Sequence, residues 1–109
     1  MNDTTSDRSF PHAPPEWAPT DAEALAATED LALTQDHWEA LEALQQYFAR
    51  NERPNAREIH DALDEHFHDR GGIKYLYKLF PGGPLAQGGR LAGVEVPSGA
   101  EDKSFGSVQ

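Results

Sequence analysis

A run of large apolar residues at helical spacing is the feature that most constrains the fold of this chain. The run consists of Trp38, Leu41, Leu44 and Phe48. Residues three and four apart lie on the same face of an α-helix, so these side chains form one apolar stripe. Thr34 precedes the stripe and supplies an N-cap hydroxyl, and Pro54 follows it and cannot continue a helix. The pattern predicts a helix from about Thr34 to the turn "NERPN", with one face buried.

Further helices are predicted from capping residues and apolar spacing. A first helix covers about 21–29, where Thr20 caps the N-terminus and Glu23 reaches back in a capping box. A third helix starts after Asn55, which forms the same arrangement with Glu58. Its predicted buried stripe consists of Ala56, Ile59, Leu63 and Phe67.

Glycine and proline divide the rest of the chain into short elements. Gly71 and Gly72 end the third helix, a short helix carries "IKYLYKLF", and "PGGP" forces a turn. Gly88 and Gly89 weaken any helix in the next segment by about 1 kcal/mol each relative to Ala. Helices joined by such short turns predict a mainly α fold. We expect a small orthogonal helical bundle with a helix-turn-helix-like core and a flexible C-terminal arm.

The length of 109 residues allows one small domain and leaves no room for a second. Residues 1–19 are rich in proline and poor in apolar residues, so we expect a disordered tail that Trp17 can pin to the domain. The helical domain is predicted at 20–91, followed by an arm and polar tail at 92–109. The N-terminus has acids and no continuous apolar run, so no secretory signal or membrane span is expected. A cytoplasmic location is therefore the expectation.

Charge is distributed unevenly along the chain. The formal net charge is -10, and sixteen of the nineteen acids lie before residue 70. This acidic bulk repels nucleic acid and anionic membranes. The stretch 70–94 contains no acid and can meet an acidic partner or a phosphate, or simply balance its neighbours on a solvated face. Its cations are Arg70, Lys74, Lys78 and Arg90.

Four sequence strings suggest a family. In chain order they are "LALTQDHWEAL", "RPNAREI", "KYLYKLFPGGP" and "RLAGV". Across roughly 16–100 the chain resembles the TusE/DsrC family of sulfur relay proteins, and the run from Tyr75 to Pro84 is the most specific part. The resemblance implies a helical domain whose C-terminal arm ends in a penultimate cysteine. That cysteine accepts sulfur as a persulfide and passes it on.

The chain departs from this family pattern at both thiol positions. The family arm reads approximately Ala-Gly-Leu-Pro-Lys-Pro, then two residues and Cys, and Ala100 occupies the place of that cysteine. The second cysteine of the DsrC branch falls on Gly89. Val96 stands where the pattern has Lys. Sulfur relay needs a thiolate, and the sequence contains no cysteine, so we predict no catalytic residue, no cofactor and no sulfur transfer by the family's mechanism.

The retained strings favour a role in protein binding. The leading hypothesis is a non-catalytic binding or regulatory module whose partner is a protein of a sulfur relay or sulfite-reductase-type complex. Alternatives are a thiol-independent relay component that positions a substrate, and a helix-turn-helix DNA regulator, which the acids of the third helix disfavour. The oligomeric state stays open. The predicted partner-binding residues are Arg57, Lys74, Tyr75, Tyr77, Lys78, Arg90, Pro97 and Ala100.

Other chemistry is less well supported by the residue spacing. His60, His66 and His68 do not supply three ligands at defined spacing, so no metal site is expected. Asp61 and Glu65 share a helix face and could act as an acid/base pair, although solvated surface is the simpler interpretation. The glycine pairs lack the Gly-Lys-Ser/Thr of a phosphate loop.

Overall fold

A computed structural model describes residues 10–52 and 54–96 of the chain, which form five α-helices and one 3₁₀ turn. The helices are α1 (Pro19–Thr28), α2 (Gln35–Arg50), α3 (Ala56–His66), α4 (Ile73–Leu79) and α5 (Ala86–Ala92), and the 3₁₀ turn covers His68–Arg70. These two described ranges contain no strand. The predicted mainly α, small helical bundle is therefore confirmed.

The long helix α2 lies at the centre of the bundle and packs against α3 and α5. Its apolar stripe is buried as predicted, except that Phe48 in the last turn is only half-buried. Apolar residues of the third and fourth helices, and those just after them, complete the core. The predicted core residues that are buried are Trp38, Leu41, Leu44, Ile59, Leu63, Phe67, Leu76, Leu79 and Phe80.

A buried histidine joins the start of α2 to the end of α4. Thr34 is the N-cap, as predicted, and its N–H donates to His37 Nδ1 at 3.0 Å. The opposite ring nitrogen, Nε2, donates to the Leu79 carbonyl at 2.7 Å. These two bonds fix the neutral Nε2–H tautomer, because Nδ1 must accept. Burial lowers the pKa of His37 below 6.5, although the Leu79 carbonyl and the Asp36 carboxylate oppose that shift.

The predicted start of α1 is wrong. The helix begins at Pro19, and the Ala18 N–H donates to Asp21 Oδ2 at 2.9 Å. Thr20 therefore lies inside the helix and does not cap it. Proline at the first helical position has the required φ and no N–H to satisfy, so Pro19 moves the start toward the N-terminus.

Local capping and close packing shape the later helices. The predicted capping box at α3 is confirmed, with Glu58 N–H donating to Asn55 Oδ1 at 2.8 Å.

Helix α5 forms over "AQGGRLA" despite its two glycines. A Cβ on Gly88 would lie 3.2 Å from Leu44 Cδ1, so the missing side chain lets α5 approach α2 closely. Tertiary packing thus offsets the poor helix propensity of glycine.

The division of the chain at residues 19 and 91 stays a prediction. Phe10 and Trp17, within the segment assigned to the tail, pack against the hydrophobic core. The rest of that tail, 1–9, and the arm and polar tail from 97 to 109 lie outside the described residues. In the part of the chain that the structure describes, no helix is long and apolar enough to cross a membrane.

Candidate partner-docking site

The C-terminal arm leaves the domain at the last turn of α5, where its own backbone closes the helix. Gly93 has a φ of +75°, in the left-handed region that favours glycine. Its N–H donates to the Arg90 carbonyl at 3.2 Å, and the Val94 N–H donates to the Gly89 carbonyl at 3.0 Å. This pair of bonds is a Schellman motif, which turns the chain sharply out of the helix.

Two distant side chains complete the end of α5. Trp17 Nε1 donates to the Leu91 carbonyl at 2.8 Å, and Gln45 Nε2 donates to the Ala92 carbonyl at 2.8 Å. A helix leaves its last four carbonyls without internal partners. All four are paired here, so the direction in which the arm departs is fixed by the domain.

Gly89, which the sequence resemblance predicts to stand at the family's second cysteine position, lies buried beneath the arm. A Cβ built on Gly89 would be 2.6 Å from Val96 Cγ1 and 3.7 Å from the Val94 carbonyl oxygen. Any side chain at this position would therefore force Val96 to move. The valine side chain fills the space next to the glycine and holds the base of the arm against α5.

An aromatic cluster holds the other side of the arm's base. A Cβ on Gly93 would lie 2.7 Å from Trp17 Cδ1, so the indole packs directly on the glycine. Phe10 meets Trp17 edge-on at 5.1 Å between ring centroids and Trp38 at 5.8 Å. Edge-to-face pairs of this kind add to the stabilisation from burial. The cluster thus connects the N-terminal segment, α2 and the arm.

A shallow depression of about 570 Å³ lies beside the base of the arm. Its lining combines proline and other apolar side chains with two exposed carboxylates. This surface is next to the point where the arm leaves the domain. The lining residues are Pro14, Phe48, Glu52, Pro54, Gly93, Val94 and Glu95.

Two of the predicted basic and aromatic residues are held by acids of α2. Arg70 donates to both Glu39 oxygens at 2.9 and 3.0 Å and to Asp36 Oδ1 at 3.0 Å. Arg70 is the main cause that lowers the pKa of Glu39 to about 2. The Tyr75 hydroxyl donates to Asp36 Oδ2. Arg70 and Tyr75 therefore join the segment after α3 to α2.

Arg90 also has an acidic partner inside the domain. Its guanidinium lies 3.1 Å from Glu29 Oε2, at the end of α1. Gln87 Nε2 donates to Glu29 Oε1 at 2.7 Å, and this bond, followed by Arg90, lowers the pKa of Glu29. The basic stretch predicted from the sequence is therefore partly neutralised within the fold, because Arg70 and Arg90 both bind carboxylates.

The remaining cations of the basic stretch lie on α4 and are exposed. Lys74 and Lys78 are four residues apart and share a helix face. Neither makes an ion pair with the described residues. Tyr77 is 46% exposed, the largest exposed apolar side chain of the described ranges, and its ring centroid is 6.4 Å from that of His60. We call Lys74, Tyr77 and Lys78 the α4 face.

The other predicted site residues have different positions. Arg57 is exposed on α3 and lies 3.7 Å from Asp61, one turn further along the helix. Pro97 and Ala100 lie outside the described residues. The structure brings Lys74, Tyr77 and Lys78 onto one short helix. The assignment of the whole set to partner binding stays a prediction.

Gln45 is a functional candidate that the sequence analysis did not identify. It lies on the buried side of α2 next to Leu44 and is only 1% exposed. A polar residue on the apolar side of a helix signals a buried hydrogen bond. Its partner, the Ala92 carbonyl, could not be deduced from that signal because it is 47 residues away. Gln45 Oε1 has no hydrogen-bond partner among the described residues.

Comparisons with known proteins connect this architecture to a family. The sequence model of the family described as "DsrC like protein" matches residues 2–100. The chain belongs to the DsrC-like family. Sulfurtransferase TusE of Pectobacterium atrosepticum is 35% identical over 83 residues, which cover 74% of this chain and 76% of the relative. Sulfurtransferase TusE of Salmonella typhimurium is 33% identical over 84 residues, covering 75% and 77%.

A solved structure supports the same assignment. The NMR structure of DsrC from Allochromatium vinosum is 35% identical, covers 77% of each chain and has a TM-score of 0.66. The resemblance to TusE and DsrC seen in the motifs is therefore confirmed. This DsrC-like chain is a member of a sulfur relay family, and its sequence contains no cysteine.

Proposed function

We propose that this DsrC-like chain is a non-catalytic partner-binding module of sulfur trafficking. It docks on a protein of a sulfur relay or sulfite-reductase-type complex and inserts its arm into the cleft that receives a relative's thiol. Ala100 then occupies the position of the acceptor cysteine. The arm blocks the site instead of delivering sulfur to it.

The observation that carries this proposal is the detailed construction of the arm's base in a chain without a thiol. All four terminal carbonyls of α5 are paired, two of them by Trp17 and Gln45 from distant parts of the chain. Gly89 and Val96 fit against each other in the absence of any side chain at position 89. If the arm had no remaining function, it would not need contacts that fix where it leaves α5.

The chemistry of relay supports a non-catalytic role. In each transfer, an acceptor thiolate attacks the outer sulfur of a donor persulfide, a new S–S bond forms, and the donor leaves as a thiolate. The Ala100 methyl group cannot attack. Met1 carries the only sulfur of the chain, and its thioether has no ionisable S–H.

The exposed charges favour a protein partner over DNA. In a helix-turn-helix interaction, α3 would enter the groove, yet it presents Glu58, Asp61, Asp64 and Glu65 on its exposed surface. Each of these carboxylates would face the phosphate backbone. The α4 face offers two lysines beside an exposed tyrosine, a combination suited to an acidic protein surface.

A competition experiment tests the proposal. This protein is added to the Salmonella typhimurium TusE relative and its sulfur donor, and persulfide formation on TusE is followed by intact mass. We expect inhibition that increases with the concentration of this protein and weakens with added salt, because exposed charges are screened. Unchanged transfer at large excess would refute the proposal. Faster transfer would instead favour the alternative of a thiol-independent component that positions a substrate.

Two variants separate the arm from the docking surface. A chain that ends after Val96 keeps the Val94 amide that closes α5, and it should bind without blocking transfer. Lys74→Gln with Lys78→Gln should weaken inhibition. The matched control is Ala24→Glu with Ala27→Glu, which changes the net charge equally at exposed positions of α1 and should inhibit like the original protein.

A further inference from the structure

The shallow depression beside the base of the arm leaves an aromatic ring partly uncovered. Phe48 belongs to the apolar stripe of α2, yet it is only half-buried, unlike the other residues of that stripe. Pro14 and Pro54 also line the depression and are half-buried too. An aromatic face of this kind is stabilised when a second ring covers it. The volume of about 570 Å³ leaves room for an aromatic side chain.

Two carboxylates at this depression are not neutralised by the fold. Glu52 lies two residues after the end of α2, and Glu95 lies on the arm itself. Both side chains are exposed, and within residues 10–52 and 54–96 neither makes a hydrogen bond or an ion pair. The depression therefore combines an apolar surface with uncompensated negative charge. It suits a ligand in which an aromatic ring and a cation lie close together.

We propose that this depression binds the C-terminal tail of the same chain, residues 101–109. The tail lies outside the described residues, and its sequence is "EDKSFGSVQ". The family match ends at residue 100, so the tail follows the part that the family model covers. Phe105 is the only aromatic residue of the tail and Lys103 its only cation. In the docked state the Phe105 ring covers Phe48, and the Lys103 ammonium group pairs with Glu52.

The spacing of the two tail residues fits this arrangement. In an extended chain, side chains two residues apart point to the same side. Lys103 and Phe105 therefore face the domain together, whereas Asp102 points to the opposite side, away from Glu52. Glu101 shares the side of the pair but precedes it, two residues before Lys103. The one cation of the tail is thus the charge beside the docked ring.

The tail is attached next to the depression and is long enough to reach it. Gly93, Val94 and Glu95 line the depression, so the arm starts at the site itself. Phe105 is nine positions after Val96, a separation that an extended chain spans over at most about 30 Å. Closing so short a loop costs little entropy, and the attachment gives the tail an effective concentration of the order of mM. Both effects favour the chain's own tail over a separate molecule.

A docked tail holds the arm against the domain. Ala100 lies between the base of the arm and Lys103 in the sequence, so it does not extend into a partner's cleft while the tail is docked. The tail then competes with the partner for the arm. This consequence rests on the proposed function, whereas the docking itself does not.

Nuclear magnetic resonance of the full chain tests the docking directly. We expect nuclear Overhauser contacts between the rings of Phe105 and Phe48, with relative intensities that stay constant over about tenfold dilution. Phe105→Ala should shift the amide signals of Phe48 and Val94. The matched control is Val108→Ala, which removes an apolar side chain elsewhere in the tail and should leave both signals unchanged.

Three results of this measurement would overturn the proposal. The first is the absence of contacts between the two rings in the full chain. The second is contacts that weaken on dilution, because they would assign the tail of a second copy to the depression. The third is equal shifts of the Phe48 amide signal in Phe105→Ala and Val108→Ala, which would show that no particular ring of the tail is bound.

Exchanging the charges of Lys103 and Glu52 tests the proposed ion pair. Lys103→Glu places like charges opposite each other, so the contacts between the rings of Phe48 and Phe105 should weaken. Lys103→Glu combined with Glu52→Lys should restore these contacts, since opposite charges face each other again. Contacts that stay as weak in the double variant as in Lys103→Glu would overturn the pairing of these two residues.

The competition experiment with TusE separates the docking from the proposed function. A chain that ends after Ala100 keeps the arm and lacks the tail, so it should inhibit at a several-fold lower concentration than the full chain. Equal inhibition by the two chains would overturn the restraint of the arm by the tail. If neither chain inhibits, the proposed function fails and the restraint fails with it, while the ring contacts still decide the docking.

Discussion

Val96 lies so close to Gly89 that a Cβ on the glycine would be 2.6 Å from Val96 Cγ1. The contact joins the base of the arm to the position that the sequence resemblance predicts for the second cysteine of DsrC-type relatives. In this chain the valine side chain takes the space beside a residue that has none. The arm's base is therefore held by packing at the position where the sequence resemblance predicts a reactive thiol in relatives.

Gly89→Ala should loosen the base of the arm without unfolding the domain. The new methyl group displaces Val96 and strains the bond from the Val94 amide to the Gly89 carbonyl. Alanine also raises helix propensity by about 1 kcal/mol, so global stability is a poor measure of this effect. The measurement is hydrogen exchange at the Val94 amide, which should become faster.

Adding Val96→Ala to this variant provides the control. The Val96 Cβ would be 3.8 Å from the new methyl group, an ordinary contact, so protection of the Val94 amide should return. Equal protection of this amide in the original chain and in Gly89→Ala would show that the two residues do not constrain each other.

Trp17→Phe should destabilise the protein by about 1 kcal/mol, the usual contribution of one hydrogen bond. The substitution keeps an aromatic ring beside Gly93 but removes the Nε1–H that donates to the Leu91 carbonyl at 2.8 Å. Urea denaturation measures the change. Trp17→Leu also removes the ring and should cost more. If Trp17→Phe were as stable as the original protein, this hydrogen bond would not hold the end of α5.

The central helix could be predicted because its signals are local. Thr34 and the stripe from Trp38 to Leu44 specify where α2 begins and which face is buried. The predicted start of α1 is wrong because two local signals compete. Proline is favoured at the first helical position, and Pro19 takes that position. The helix therefore begins before Thr20, and Thr20 does not act as its N-cap.

The base of the arm could not be predicted in the same way. Trp17 and Gln45 bind carbonyls that are 74 and 47 residues away in the sequence, and no local pattern reports such pairs. The family motifs predict that Gly89 stands at the second thiol position. The contact between Gly89 and Val96 became apparent only when the chain was folded.

The free energy of unfolding should decrease in two steps as the pH falls. His37 has a pKa lowered from 6.5, so the unfolded chain takes up a proton first and stability is lost as the pH drops from about 6.5 through the folded pKa. Glu39 has a pKa lowered from 4.5 to about 2, so its contribution is present above 4.5 and is lost toward 2. Lowering of the Glu29 pKa adds to the second step.

Urea denaturation over this pH range measures both steps, with His37→Gln as the variant for the first. Glutamine does not titrate, so the variant should lose the step that begins near 6.5 while keeping the one below 4.5. If the loss of stability that begins near pH 6.5 were equally large in His37→Gln, it would arise from other histidines. Stability that rises on acidification would contradict the sign of both shifts.

The central claim is that the arm still places position 100 in the sulfur-accepting cleft of a partner. Ala100→Cys supplies the missing thiol, and the nearly isosteric Ser98→Cys supplies the same thiol two residues out of register as a matched control. Each variant is incubated with the persulfide-loaded donor of a TusE relative and followed by intact mass. We expect a gain of one sulfur, about 32 Da, that is much faster on Ala100→Cys than on Ser98→Cys, and no gain on the original protein. Equal loading of the two variants, or no loading of Ala100→Cys, would contradict it.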